Sequence, residues 1–314
     1  MPYIINFIHD DKALYPTIRG YRDFFSGSYE VRETSLRQYL KQGDPERSVL
    51  WFMMGFYPLP APPALATIHD YRSLSVGLLA PLKDRLKALC NFKPDLRILQ
   101  NEVVSEMIGF ADGVPQLFLG MGVPSSLPAK ARKPAPGPPD FDFVYIGTVS
   151  KERRSGALID SFLRRYPSGR RLLLIGPADP GIVKAYRGCR SIVFAGQLTQ
   201  AETFDLVMRS KVAVSHFPSH RPHSYQTPTK LIEYAALGRP ILANDSPMNL
   251  ATIRQYDIRA TVTSGDIFAT APEPEEIAES PVPDPCPYTW TAVIAKSGIE
   301  ARLKALIAAR EARN

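Results

Sequence analysis

Residues 224–243 read SYQTPTKLIEYAALGRPILA, the order of a turn, a short helix and a strand. Pro228 stands just before the expected helix, Thr229 is placed to cap it, Leu237 closes it, and Gly238 supplies the left-handed residue that ends it. The start of such a helix offers N–H groups to an anion, and Lys230 adds a full charge in the first turn. Glu233 falls one turn further on, where a carboxylate can accept from vicinal hydroxyls. A nucleotide diphosphate carries both features. A surface Glu paired with a nearby Lys or Arg shows the same pattern.

A second stretch follows the apolar run Phe141–Ile146: Gly147, Thr148, Val149, Ser150, Lys151, Glu152, Arg153 and Arg154, then a segment of helical period. A flexible turn with paired arginines at a helix start suits a phosphate, through backbone N–H groups and the forked donors of Arg. A solvated basic turn is the other reading. From Lys151 to Arg190 ten Lys and Arg face three acids (Glu152, Asp160, Asp179), so the +7 charge of the chain is concentrated here. Neither aromatic interleaving nor a recognition motif accompanies it, and nucleic acid is not an expected partner.

His216, His220 and His223 lie close enough in sequence to suggest a metal. Pro218 and Pro222 forbid the helix that would set positions 216 and 220 on one face, and no Cys or carboxylate stands beside them, so no metal is expected.

Such residues need a scaffold. The chain has 314 residues, 45% of them hydrophobic, enough for two domains with cores of their own. Short β-rich runs alternate with longer helical segments, the pattern of parallel sheets covered by helices. The expected strands are Tyr3–Ile8, Tyr29–Arg32, Ser48–Met53, Leu65–His69, Leu96–Gln100 and Val114–Leu119, then Phe141–Ile146, Arg171–Ile175, Ser191–Ala195, Lys211–Ser215, Pro240–Ala243 and Ala260–Thr263. Several are continuously apolar, as strands buried on both faces are. Between the two sets, residues 124–140 hold six prolines and almost nothing that could pack, and read as a linker.

Cys90, Cys189 and Cys286 are far apart and lack CxxC spacing, which supports neither a disulfide framework nor a zinc ribbon and fits a reducing cytoplasm. The N-terminal MPYIINFIHDD reads as a first strand rather than a signal peptide, and no run of apolar residues is long enough to span a bilayer. A peripheral membrane contact stays open. Pro81–Lys93 has the look of a basic amphipathic helix that could rest on an anionic membrane, or of an ordinary packed helix.

The segment PTKLIEYAALGRPILAND at 228–245 resembles the nucleotide-binding helix of glycosyltransferases with two facing Rossmann-like domains (GT-B type), in particular glycosyltransferase family 4. FVYIGTVSKERR at 143–154, residues 191–218 and YTW at 288–290 support the likeness, which covers nearly all of 141–314; TIHDYRS at 67–73 and FLGMGVP at 118–124 carry it more loosely into the first half. The resemblance implies an α/β chain with a cleft between its domains: residues 1–125 joined by a C-terminal helix at 290–314 bind the acceptor, 126–140 link, and 141–289 bind the nucleotide-sugar. It further implies that Glu233 holds the ribose hydroxyls, that Arg153 or Arg154 with Lys230 neutralises the diphosphate, and that Thr229 and Leu231 lend N–H groups. Gly147 and Thr148 border the same site, and His216 or His220 bonds to donor phosphate or sugar. Tyr225 stands where the family often places the first Glu of its Glu-x7-Glu pair.

The activity implied is transfer of a sugar from a nucleotide diphosphate-sugar to an acceptor hydroxyl in polysaccharide, glycolipid or related glycan synthesis, with retention of configuration and without a metal or other cofactor. The expected partners are the donor and a glycan or lipid-linked acceptor, toward which Phe56 and Tyr57 could face, and the expected location is the cytoplasm, at the inner face of the membrane. If the reaction inverts instead, a base is needed from the first domain; His69 and Asp70 at the end of one expected strand, or Asp10 and Asp11 after another, are the candidates. A nucleotide-sugar epimerase of the same fold and a catalytically silent sugar- or nucleotide-binding protein are the alternative readings.

Overall fold

The computed structural model describes residues 2–9, 16–53, 55–58, 60–132, 137–221 and 223–312. Asp10 and Asp11 lie outside the described residues. The chain divides into two compact units, residues 1–124 with 289–314, and residues 125–288.

The first unit holds a sheet of six parallel strands: β1 (Ile4–Ile8), β2 (Glu30–Thr34), β3 (Ser48–Met53), β4 (Ala66–Tyr71), β5 (Leu96–Leu99) and β6 (Gln116–Phe118), in the order β2-β1-β3-β4-β5-β6. Helices α1 (Pro16–Phe25), α2 (Leu36–Gln42), α3 (Ala80–Cys90) and α4 (Glu102–Ile108) make every crossover but that from β3 to β4. β1, β3, β4 and β5 are buried along their whole length, as parallel strands with layers on both faces must be. The edge strand β2, by contrast, reads EVRET and is nowhere fully buried; its charges blunt the open edge.

Aromatic side chains fill the layer between α1 and the sheet. Tyr21 stacks on Phe7 with ring centroids 5.4 Å apart and meets Trp51 at 4.4 Å. Two further helices, α11 (Trp290–Ser297) and α12 (Ile299–Glu311), belong to this unit although they end the chain. A single continuous terminal helix was expected; Gly298, left-handed at φ +73°, divides it. Trp290 packs where only glycine leaves room, since a Cβ on Gly20 would overlap its ring and one on Gly122 would approach it to 2.8 Å.

In the second unit the strands are β7 (Phe141–Ile146), β8 (Leu172–Ile175), β9 (Ile192–Gly196), β10 (Ser210–Ser215), β11 (Ile241–Asn244) and β12 (Thr261–Thr263), in the order β12-β11-β10-β7-β8-β9, again all parallel. Its helices are α5 (Ser126–Ala131), α6 (Ser155–Arg165), α7 (Pro180–Tyr186), α8 (Gln200–Met208), α9 (Thr229–Ala236) and α10 (Pro247–Tyr256). One core of Phe143, Tyr145, Phe162, Leu172, Val212 and Phe268 unites the sheet with α6 and the segment after β12.

The expected linker opens with a helix. Ser126–Ala131 form α5, whose Leu127 and Pro128 are buried, and α5 packs on α9. The apolar face of α9 gives Leu127 a surface to cover, which the proline-rich composition concealed.

Candidate functional site

The order of the second sheet turns at one place. From β7 the chain winds outward through β8 and β9, then returns to lay β10 on the other side of β7. Outside the carboxyl ends of two strands related in this way lies the crevice in which open α/β sheets bind ligands. The turn 147–154 leaves β7 there, and the loop 216–228, which leaves β10, leads into α9.

Glycine shapes the first turn. Gly147 has φ +140° and Gly176, at the exit of β8, φ +134°; a Cβ on Gly176 would overlap the carbonyl oxygen of Gly147. The close approach lets Val149 pair with Ala178 beyond the strand ends. Thr148 is exposed. Ser155 Oγ accepts from the N–H of Ser150 at 3.0 Å and Ser150 Oγ from that of Arg153 at 3.3 Å, so Arg153 is held at a fixed point while Arg154, left-handed at φ +52°, starts α6 without a side-chain cap.

The loop after β10 is held by two asparagines. Asn244 closes a pair of hydrogen bonds with Phe217, accepting from its N–H at 2.8 Å and donating to its carbonyl at 3.0 Å. Asn249 Nδ2 donates to the carbonyls of Ser215 and Asn244. Farther along, His220 Nε2 lies 2.6 Å from the carbonyl of Glu152 and its Nδ1 3.0 Å from that of Arg221, so His220 ties the two loops together. Of the two histidines expected to bond a donor, His220 thus already has carbonyl neighbours and His216 keeps a buried nitrogen without a partner among the described residues. His223 packs edge-on against Phe217, and burial together with Arg153 draws its pKa down to about 4. Tyr225 is half-buried in the 3-10 turn His223–Tyr225.

α9 begins at Thr229 with Pro228 as its N-cap, and no side chain caps it. Thr229 is therefore the first helical residue rather than the cap, a shift of one position that Pro228 imposes through its fixed φ. The N–H of Leu231 is engaged by the Pro228 carbonyl at 3.0 Å. Tyr234 fastens the helix to the sheet: its hydroxyl, fully buried, accepts from the N–H of Ile146 at 2.9 Å.

Lys230 is buried. Its Nζ donates to the carbonyl of His216 at 2.7 Å and stands 3.9 Å from the centre of the Tyr145 ring. Burial and the nearby Arg153 pull its pKa well below the usual Lys value, opposed by Glu233. Glu233 is half-buried and has no hydrogen-bond partner among the described residues; burial pushes its pKa up to about 7 against the pull of Lys230. One more polar atom here is buried without a partner among the described residues, His216 Nδ1, while the Tyr145 hydroxyl faces the Arg153 side chain. His216 is kept neutral by burial and by Lys230 and Arg154, with a pKa near 3. The second unit thus gathers Arg153, Arg154 and Lys230, with Glu233 acting on Lys230, an arrangement able to bind an anion beside a hydroxyl donor. Tyr145 and the two asparagines were not anticipated; a tyrosine two residues before a glycine turn is the signal that could have found the first.

In the first unit, β4 runs on to Tyr71, so His69 and Asp70 lie inside a strand and not on a loop as expected. Asp70 is fully buried, accepting from Tyr21 Oη at 2.6 Å and Trp51 Nε1 at 3.2 Å, with Arg72 Nε 3.7 Å away. Arg72 reaches on to the carbonyls of Leu119 and Gly120, both at 2.7 Å. His69 sits edge-on among Phe52 and Phe92, and burial takes its pKa to about 3. Both side chains are buried in this unit, where His69 Nε2 and Asp70 Oδ1 have no hydrogen-bond partner among the described residues. Among the described residues no group of three His, Cys, Asp or Glu is placed to hold a metal ion.

No protein-family model matches the chain, and no curated protein matches it. Solved structures do. AviGT4, a glycosyltransferase involved in avilamycin A biosynthesis, is 15% identical, with 98% of this chain and 99% of that one covered at a TM-score of 0.58. HepE of Anabaena in complex with UDP-glucose is 11% identical over 99% of this chain and 100% of that one, at 0.60. Sucrose-phosphate synthase from Thermosynechococcus elongatus is 16% identical over 97% and 95%, also at 0.60. The chain shares the α/β fold of these glycosyltransferases, with its two Rossmann-like domains.

Proposed function

We propose that the chain is a glycosyltransferase that moves a sugar from a nucleotide diphosphate-sugar to an acceptor hydroxyl in polysaccharide, glycolipid or related glycan synthesis. The observation that carries this reading is Glu233, a carboxylate without a hydrogen-bond partner among the described residues, one helical turn beyond Lys230 at the switch point of the second sheet. In this reading Glu233 accepts from the two ribose hydroxyls, and Arg153 and Arg154 bind the diphosphate. Lys230, already bonded to the His216 carbonyl, contributes its charge to the leaving group more than a direct contact. His216 Nδ1 gains a partner when the donor is bound. No metal is invoked, because the cationic side chains take up the charge that develops on the diphosphate.

HepE structures hold UDP and UDP-glucose, which puts uridine nucleotides first among the donors to try. Retention of configuration, acceptor binding by the first unit and a place in the cytoplasm are parts of the same proposal, and rest on the sequence resemblance. Product stereochemistry by NMR tests the first of these: a product of inverted configuration overturns it.

A thermal-shift panel of uridine, guanosine, thymidine and adenosine diphosphates and their sugars, run on the native protein and on Glu233→Ala, tests the donor site. A ligand that binds only the folded state stabilises it by about 2.7 kcal/mol at a hundredfold excess over its Kd. One base should stand out, and the variant should lose it. If nothing shifts at millimolar nucleotide, the donor site is refuted. If a donor binds but is neither transferred nor hydrolysed, the silent binding protein suggested by Tyr225 takes precedence.

A further inference from the structure

α3 is amphipathic in the sense opposite to that of a packed helix. It buries Asp84, whose carboxylate accepts from the N–H of Ser75 at 3.0 and 3.2 Å and faces Lys87 at 3.6 Å. Toward solvent it presents Leu82, Leu86 and Leu89, spaced i, i+4, i+7 on one stripe, with Leu82 52% and Leu89 74% exposed. The turn before it adds Val76, Leu78 and Leu79; Leu78, next to Gly77 at φ +90°, is fully exposed. Phe56, beyond β3, completes the patch. Seven of the twelve large apolar side chains exposed among the described residues therefore fall on one face, too concentrated for the scattered exposure of an ordinary surface.

Within this segment the exposed charges have one sign, although α4, which packs beside α3, carries the exposed Glu102 and Glu106. Between Ser73 and Lys93 the sole acid is the buried Asp84, while Lys83, Arg85 and Lys93 are exposed. A cavity of about 730 Å³ opens into the patch, lined by Phe56, Leu74, Val76 and Leu86 with Lys83 and Lys87, beyond the carboxyl ends of β3 and β4. Protein interfaces favour aromatic side chains and Arg in their centre and are poor in Lys. A protruding turn of aliphatic residues ringed by Lys and Arg is the composition of a surface that lies in the boundary of a negatively charged bilayer, with the Lys stems along the apolar surface and their heads in the headgroup layer.

We infer that this face of the first unit docks on an anionic phospholipid bilayer, with Leu78, Leu79 and Leu82 entering the headgroup boundary and Lys83, Arg85 and Lys93 against lipid phosphates. The cavity then opens onto lipid. If the chain is the glycosyltransferase proposed above, its acceptor is lipid-linked; that last step rests on the proposed function, while the docking does not.

Flotation with phosphatidylcholine vesicles, with and without phosphatidylglycerol and with no nucleotide present, tests it. The protein should float with the anionic vesicles and be released by high salt. Leu78→Asp and Leu82→Asp should each weaken binding at least tenfold, and Lys83→Gln and Lys93→Gln each about fivefold. These side chains are exposed, so circular dichroism should show the variants folded. Absence of binding to anionic vesicles, or binding indifferent to the leucine substitutions, overturns the proposal. So does a concentration-dependent dimer in sedimentation that Leu78→Asp dissolves, since a second copy would then own the patch. The nucleotide panel reads the donor site separately, so failure of one leaves the other standing.

Discussion

Lys230 and Glu233 share a face of α9 but do not pair: the ammonium donates to the carbonyl of His216 at 2.7 Å, and the carboxylate is left without a hydrogen bond among the described residues. The pair is held apart by the fold, and the carboxyl feels its burial more than its neighbour's charge. Its pKa rises from 4.5 to about 7. A carboxyl that is harder to ionise folded than unfolded takes up a proton on folding, so native stability falls as pH rises from about 4.5 to about 7 and the loss is complete above that. Glu233→Gln should remove this slope. Chemical denaturation at a series of pH values should find the variant more stable than the native protein above about pH 7 and equal to it below about pH 4.

Arg153 is fixed through its backbone by Ser150, and its guanidinium lies by the Tyr145 hydroxyl in the site. Arg153→Ala should raise the Kd of the preferred nucleoside diphosphate about ten- to a hundredfold, the worth of one charged hydrogen bond or a bidentate pair, with little change in Tm. Arg153→Lys should recover only part of it, because the fork is lost. Isothermal titration checks both; an unchanged Kd for Arg153→Ala would remove this residue from the diphosphate.

Tyr234→Phe removes one oxygen from a fully buried position and strands the N–H of Ile146 at the end of β7. The expected cost is about 1–3 kcal/mol, read as a lower midpoint in urea, with a weaker response to nucleotide because the turn 147–154 starts from that strand end.

Asp112 grips Arg97 with two hydrogen bonds of 2.5 and 2.6 Å, and the Arg97 side chain is 1% exposed with its guanidinium 3.9 Å over the Phe110 ring. Asp112→Ala leaves that charge buried without its partner and should cost about 3–5 kcal/mol. In the native protein the Arg97 hydrogen bonds hold the Asp112 pKa at about 2, so its contribution is complete above the ordinary Asp value of 3.8 and is lost as pH falls through about 2. Acid unfolding followed by tryptophan fluorescence should end at a higher pH in the variant.

Much of this was legible locally. β3 and β7 have the bounds expected of them, because strands covered on both faces carry their burial in their own composition. The spacing of Lys230 and Glu233 is likewise a property of one helix. What the sequence concealed depends on distant partners. Asp70 reads as a residue at a strand end, yet Tyr21 and Trp51, far from it in sequence, donate to its Oδ2 inside β4. Leu127 is covered only because α9 is there. The leucines of α3 are visible as a stripe, but that they face outward follows from Asp84, which the N–H of Ser75 draws to the inner side.

Trp290 fills the notch of Gly20 and Gly122, and it is delivered after every residue of the second unit. On the ribosome, residues 125–288 are therefore complete while the first unit still lacks α11 and α12. The segment made first must keep its aromatic interior partly open until the last 26 residues arrive. A chain stalled or cut before Thr289 leaves a finished second unit attached to a first unit with an unfilled wall.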